Sequence, residues 1–273
     1  QRLICISDRD LVNKRFVCRN LKIKTTGLEE ERWPVDPEVR VMSYLINELT
    51  THEKRNGWRL LWDGKTTDGW RSGNSDQFPT NGWSISNGEL ITDIGDGSES
   101  INGGDIVTTE KFNNFELELE FKVTKGANSG IKYFVDDDLM TGGGSEIGLE
   151  FQIIDDENHE DAKLGIKGNR SLAALYDLIP ADNLSIPGRG KQFKGVGQWN
   201  KARIVVKNGK VSHWLNSEKT LEYDRFSPTF KALVAYSKYK NWEGFGQWPE
   251  GYILLQEHGH RVHFRSIKIR EFN

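Results

Sequence analysis

The sequence predicts an all-β protein, a jelly-roll β-sandwich of two antiparallel sheets. Three observations carry that prediction. Apolar and polar residues alternate with period two from about Trp58 onward, Asn-Gly pairs stand between strand-like runs, and no long amphipathic helix interrupts them. Twenty-eight Gly, thirteen Phe and nine Trp suit a turn-rich β protein with a large core.

Taken in chain order, residues 1–24 hold seven Lys or Arg against Asp8 and Asp10 and show no period. "EEERWPVDPEVR", broken by Pro34 and Pro37, reads as a linker. Residues 1–47 therefore form an N-terminal extension, disordered or docked outside the core, and residues 48–273 the main domain. "PEVRVMSYLINELTTHEKRNGW" offers a short helix leading into that domain. "WSISNGELIT" and "RIVVKNGKVSHWLN" are hairpins with Asn-Gly turns. In the second, a two-residue loop sets Val205 opposite Ser212 and Arg203 opposite Trp214. "NFELELEFKV" is a half-buried strand with Glu116, Glu118 and Glu120 on a solvated face. "GIKYFV", "GLEFQII", "YILLQEH" and "RVHFRSIKI" supply further strands.

The overall balance narrows the partners. A net charge of −3 argues against nucleic acid, which requires clustered cations. No apolar run approaches the roughly 20 residues of a membrane span. The two cysteines, Cys5 and Cys18, have no metal-site spacing. "QRLICISDRDLVNKR" carries charges where a signal peptide would be apolar. No Gly-x-Ser-x-Gly elbow or Walker loop is present, and the glycines of "GGDIVTTEKF" and "TGGGSEIG" precede no helix.

Chemistry concentrates on the polar faces of particular strands. In "GLEFQIID", Glu150 and Gln152 share one face about 6.6 Å apart, while Leu149, Phe151 and Ile153 take the other. In "YILLQEHG", Gln256 and His258 share a face with Leu254. Arg203, Trp214 and Asn216 share a face of the hairpin, whereas His213 lies with the apolar residues as a core histidine. An acid, amides, a histidine and an indole suit a sugar, whose hydroxyls need paired polar groups and whose ring face takes an aromatic. The loop after "GLEFQII" also offers Asp155, His159 and Asp161 as candidate ligands for a divalent cation, without zinc or EF-hand spacing.

"GWRLLWDGKTTDGW" at 57–70, "NSGIKYFV" at 128–135, "GLEFQIIDDENH" at 148–159, "LAALYDLIP" at 172–180, "GQWNKARIVVKNGKVSHWLN" at 197–216 and "ILLQEHGHRVHFRSIKIR" at 253–270 resemble the 3-keto-disaccharide hydrolase family, formerly a domain of unknown function and abundant in gut Bacteroidetes. The resemblance covers 57–272 in order. It implies a concanavalin A-like jelly roll, a carbohydrate substrate and a periplasmic or secreted enzyme. Ser217 and Ser266 depart from the pattern, which has Gly and Asn there.

A 3-keto sugar can lose its aglycone by proton abstraction at C2, elimination and hydration, which needs a base, an acid and sugar contacts. Glu150 and His258 are the candidates for base and acid, in either order. Lys132, Gln152, Tyr176, Trp214, Asn216, Gln256 and Arg265 are the candidates for holding the sugar. Two alternatives are an ordinary glycoside hydrolase, which needs a second carboxylate, and a lectin-like module that catalyses nothing. Glu146, four residues before Glu150, lies roughly 13 Å away along an extended strand, so only a bulge near Gly148 or a second strand could supply that second carboxylate.

Overall fold

A computed structural model describes residues 43, 45–98, 103–136 and 146–272. Residues 1–42 of the extension, with Cys5 and Cys18, lie outside the described residues. The last residue assigned to the extension, Asn47, is tied to the main domain: its side chain donates to Gly88 O at 2.8 Å and accepts from Ser266 N at 2.7 Å.

The helix foreseen before Trp58 is one short turn, α1 (Thr51–Arg55). Thr50 caps it, accepting from Glu53 N at 3.1 Å while Glu53 Oε2 accepts from Thr50 N at 2.7 Å. Among the described residues thirteen strands follow: β1 (Arg59–Leu60), β2 (Trp70–Ser72), β3 (Trp83–Ser86), β4 (Glu89–Thr92), β5 (Ile106–Thr108), β6 (Phe115–Val123), β7 (Asn128–Val135), β8 (Leu149–Ile154), β9 (Asn200–Lys207), β10 (Lys210–Leu215), β11 (Glu218–Asp224), β12 (Tyr252–Leu255) and β13 (Val262–Glu271). A second helix, α2 (Pro228–Ala235), lies between β11 and β12.

The strands form an eight-stranded sheet, β11-β10-β9-β6-β13-β4-β3 with β1 beside β13, and a five-stranded sheet, β2-β5-β12-β7-β8. The jelly-roll sandwich is thus observed. Both Asn-Gly turns form as read, with Asn87 at φ 52° before Gly88 at φ 72° and Asn208 at φ 51° before Gly209 at φ 80°. Ser212 pairs with Val205 and Trp214 with Arg203, the register the hairpin rule requires.

The inner faces interdigitate in one core. Phe115, Leu117, Leu119 and Phe121 of β6 meet Ile131 and Tyr133 of β7 and Leu149, Phe151 and Ile153 of β8. His213 lies in this core, fully buried, with its Nε2 2.8 Å from the Tyr133 hydroxyl. Burial holds its pKa down to about 3, so it is a neutral packing residue.

One expectation for β6 is corrected. Its glutamates do not face bulk water; they pair with cations from the flanking strands. Glu116 is buried and binds Arg203 of β9 and, at 2.7 Å, Arg270 Nε of β13. Glu118 meets Lys201 at 3.6 Å and Glu120 meets Arg265 at 2.7 Å. Alternation predicts that these side chains leave the core, but the cross-strand register decides what they meet.

Candidate active site

The site lies on the outer face of the five-stranded sheet, where β8, β7 and the end of β12 meet. A cleft of about 220 Å³ is lined by Asn128, Glu150, Gln152, His159, Asp161, Tyr176, Lys238, Gln256 and His258. The Glu/Gln pair of β8 and the Gln/His pair after β12 therefore converge, as strand alternation predicts. Neighbouring register does this: β7 pairs with β8 on one edge and with β12 on the other.

Gly130 is the hinge of the arrangement. It stands opposite Gln152 in the ladder, and its carbonyl accepts from Gln256 N at 3.0 Å. A Cβ on Gly130 would collide with the Glu150 carboxylate. The missing side chain is what lets Glu150 lie across β7 toward Gln256. Ser129 Oγ donates to Gln256 O at 2.8 Å, which fixes the backbone just past β12, two residues before His258.

Two polar atoms lining the cleft have no protein partner. Gln152 donates its amide to Asn128 Oδ1 at 3.3 Å, but its own Oε1 is buried and unmatched. His258 Nδ1 is likewise buried and unmatched. A buried acceptor and a buried ring nitrogen without partners are costly unless something else in the cleft supplies them. Hydroxyl groups fit both needs, because each can donate and accept.

The wall opposite is the segment after β8. Tyr176 N donates to Glu150 O at 3.1 Å and Gln152 N to Ala174 O at 3.1 Å, so residues 173–176 run along the edge of β8. The Tyr176 hydroxyl donates to Asp161 Oδ2 at 2.8 Å, and Arg170 binds Asp161 at 2.9 Å and Asp177 at 2.7 Å. Burial and the Asp161 bond push the Tyr176 pKa well up, so it stays a neutral donor. Lys238 Nζ caps the Tyr176 ring at 4.2 Å from its centroid. His159, His258 and His260 gather at the rim with ring centroids 5.3–6.1 Å apart. Burial, then the neighbouring rings, lowers the pKa of His159 and of His260.

Several candidates are placed elsewhere. Trp214 stacks under Arg203 at 4.8 Å and Lys219 at 5.3 Å on the outer face of the eight-stranded sheet. Arg265 lies on that same outer face, bound to Glu120 and stacked on Trp199 at 4.0 Å. Asn216 is a turn residue at φ 48° that bonds Gln192 O and Asn200. None of these three lines the cleft. Lys132 stands next to Glu150 in the ladder, but its Nζ donates to Glu146 O at 2.9 Å and supports the cleft from beside it. Asn128 and Lys238 were missed: one opens β7, and the other belongs to a 3-10 turn (Lys238–Asn241) that no strand pattern announces.

The cation candidates do not converge either. Asp155 turns inward and accepts from Gly126 N and Asn158 Nδ2, both at 2.8 Å, and these bonds lower its pKa against the effect of burial. Asp161 is engaged by Arg170 and Tyr176. Among the described residues, no group of three or more His, Cys, Asp or Glu side chains is arranged to hold a metal ion. The acidic loop is thus split: Asp155 and Asp156 brace it, the latter accepting from Leu172 N at 2.7 Å, while His159 and Asp161 form rim and wall.

The chain is similar to several known proteins. A curated 3-keto-disaccharide hydrolase of Bacteroides thetaiotaomicron is 37% identical over 239 residues, covering 79% of this chain and 78% of that protein. A crystal structure of a candidate glycosyl hydrolase from Parabacteroides distasonis superposes with a TM-score of 0.72 at 29% identity, covering 84% of this chain and 100% of the other. A second candidate glycosyl hydrolase from the same organism gives a TM-score of 0.56 at 26% identity, covering 79% of this chain and 99% of that one. The family model of the 3-keto-alpha-glucoside-1,2-lyase-like domain matches residues 57–270, which contain every residue lining the cleft, and the chain belongs to that family.

Proposed function

We propose that the protein cleaves 3-keto-glycosides, with a 3-keto-disaccharide as substrate, by elimination across C1–C2 followed by hydration. The observation that carries this reading is that Glu150 and His258 line one cleft, which also holds the unmatched Gln152 Oε1. The ketone at C3 acidifies the C2 proton. One member of the Glu150/His258 pair removes that proton, and the C1–O bond breaks as C1=C2 forms. The other member protonates the departing oxygen, which leaves as the free aglycone sugar. Water then adds its oxygen to C1 and a proton to C2, so the net reaction is hydrolysis. Gln152, Asn128 and Gln256 bond hydroxyls, while Lys238 is the cation suited to charge that develops on the ketone oxygen. The related hydrolase and the lyase-like family description support both halves of this sequence.

An ordinary glycosidase has one observation in its favour: Asp161 is a second carboxylate in the cleft. Both its oxygens are engaged, by Arg170 and by Tyr176, which leaves it poorly suited to attack or to activate water. The test is incubation with 3-keto-trehalose and with plain trehalose, following released sugar with and without chelator. The proposal expects turnover of the first and only background release from the second. Fast cleavage of trehalose points to the two-carboxylate mechanism, and binding without turnover to a lectin-like module. A periplasmic or secreted setting is part of the same proposal, and fractionation of the native host tests it.

A further inference from the structure

Behind the cleft lies a second pair of carboxyl groups that the proposed reaction does not use. Asp105, just before β5, and Glu146, before β8, are both buried and hydrogen-bonded to each other. Glu146 Oε2 is buried without a partner. The pair is tightly enclosed. Gly73 N donates to Asp105 O at 3.0 Å, and a Cβ on Gly73 would collide with the Glu146 carboxylate. Two carboxylates cannot lie together in such a place unless they share a proton.

Asp105 has a second contact that points toward the cleft. Its Oδ1 accepts from Glu257 N at 2.8 Å. Glu257 is the residue between Gln256 and His258, and it is fully buried. Its own Oε1 accepts from Gly259 N at 2.6 Å, so the turn carrying His258 is pinned on both sides by carboxylates. Gly259 adopts φ +64°, and a Cβ there would meet Gly97, which leaves the turn little freedom.

We propose that Asp105 is a positioning residue for His258, holding the backbone of Glu257 while Glu146 holds Asp105 through their shared proton. The charged groups around the pair come from every neighbouring element. Lys132 of β7 donates to Glu146 O, Arg71 of β2 reaches Ser72 O at 3.0 Å and Gly73 O at 3.5 Å, and Glu257 follows β12. Burial first and Asp105 second push the Glu146 pKa up to about 8, which keeps the proton in place at neutral pH. Loss of that proton puts two charges together and releases the turn.

The inference rests on the proposed 3-keto-glycoside reaction, and its test separates the two. Three variants serve: Asp105→Ala removes the acceptor, Asp105→Asn keeps it, and Glu146→Gln replaces the shared proton with an amide donor. With 3-keto-trehalose, Asp105→Ala lowers kcat by up to about 100-fold with KM little changed, the loss expected when a reacting group is misplaced by about 1 Å. Asp105→Asn restores most of it. The wild-type kcat falls above about pH 8, and Glu146→Gln loses that limb. The NMR shifts of the His258 ring, read without substrate, move in Asp105→Ala and not in Asp105→Asn, while exposed His52 is unmoved. If both Asp105 variants lose only thermal stability, with unchanged kcat and unchanged His258 shifts, the positioning role is overturned. If the wild type does not turn over the keto sugar while the His258 shifts respond as stated, the reaction fails and the positioning stands.

Discussion

Gly130 decides where the Glu150 carboxylate can lie, so the site is most sensitive at a residue with no side chain. Gly130→Ala drives a methyl group into Glu150 and shifts it from the space facing Gln256 and His258. We expect turnover of 3-keto-trehalose to fall at least about 100-fold in Gly130→Ala, as in Glu150→Gln and His258→Ala, with circular dichroism and melting near wild type. Trp214→Ala and Arg265→Ala, on the far sheet, are expected to leave kcat within about twofold; a larger loss would return those residues to the site. The contrast explains what the sequence could reveal. Period two says which side chains of one strand share a face, and that was enough for Glu150, Gln152, Gln256 and His258. It does not say which of the sandwich's two outer faces a polar residue occupies. Trp214 and Arg265 alternate correctly and still belong to the opposite surface.

At the scale of elements, turns explain the two departures from the family pattern. Ser217 lies at φ 73° in the β10–β11 turn, a conformation that favours Gly. Ser266 lies at φ 53° where the β13 register shifts, between Arg265 and Lys268. Asn tolerates that conformation better than Ser, and here Asn47 closes the bulge by bonding Ser266 N. Neither position touches the cleft. Ser217→Gly should therefore stabilise the fold by roughly 0.5–1 kcal/mol, a Tm gain of about 1–4 °C, without changing kcat. A fall in Tm would mean that contacts of the Ser217 side chain outweigh the backbone strain. Strands and Asn-Gly hairpins were legible because their signals are local. The wall built from residues 159–177 was not, because its order comes from Arg170, Asp161 and Tyr176 meeting through tertiary contact.

For the whole molecule, the buried Glu146 makes stability depend on pH with a definite sign. Its pKa is about 8 in the folded protein against an ordinary 4.5, so the folded state binds the extra proton between those values. The contribution is fully present below about pH 4.5 and is lost as pH rises through about 8. Glu146→Gln removes the titration and keeps a donor for Asp105. Its Tm should match the wild type near pH 4.5 and exceed it at pH 9, where the unfolding free energies differ by an amount on the order of a few kcal/mol. Equal Tm differences at both pH values would mean that Glu146 is not held protonated.

In the proposed reaction bond cleavage begins at C2, and the hydrogen at C2 of the product reports on that step. The measurement is turnover of 3-keto-trehalose in D2O, with the released 3-keto-glucose analysed at early times against an enzyme-free control. Elimination and hydration place a solvent deuteron at C2 with each turnover, and the Glu150→Gln and His258→Ala variants lose incorporation and cleavage together. Rapid cleavage with C2 still fully protiated would rule out elimination, because the bond would then have broken by displacement at C1.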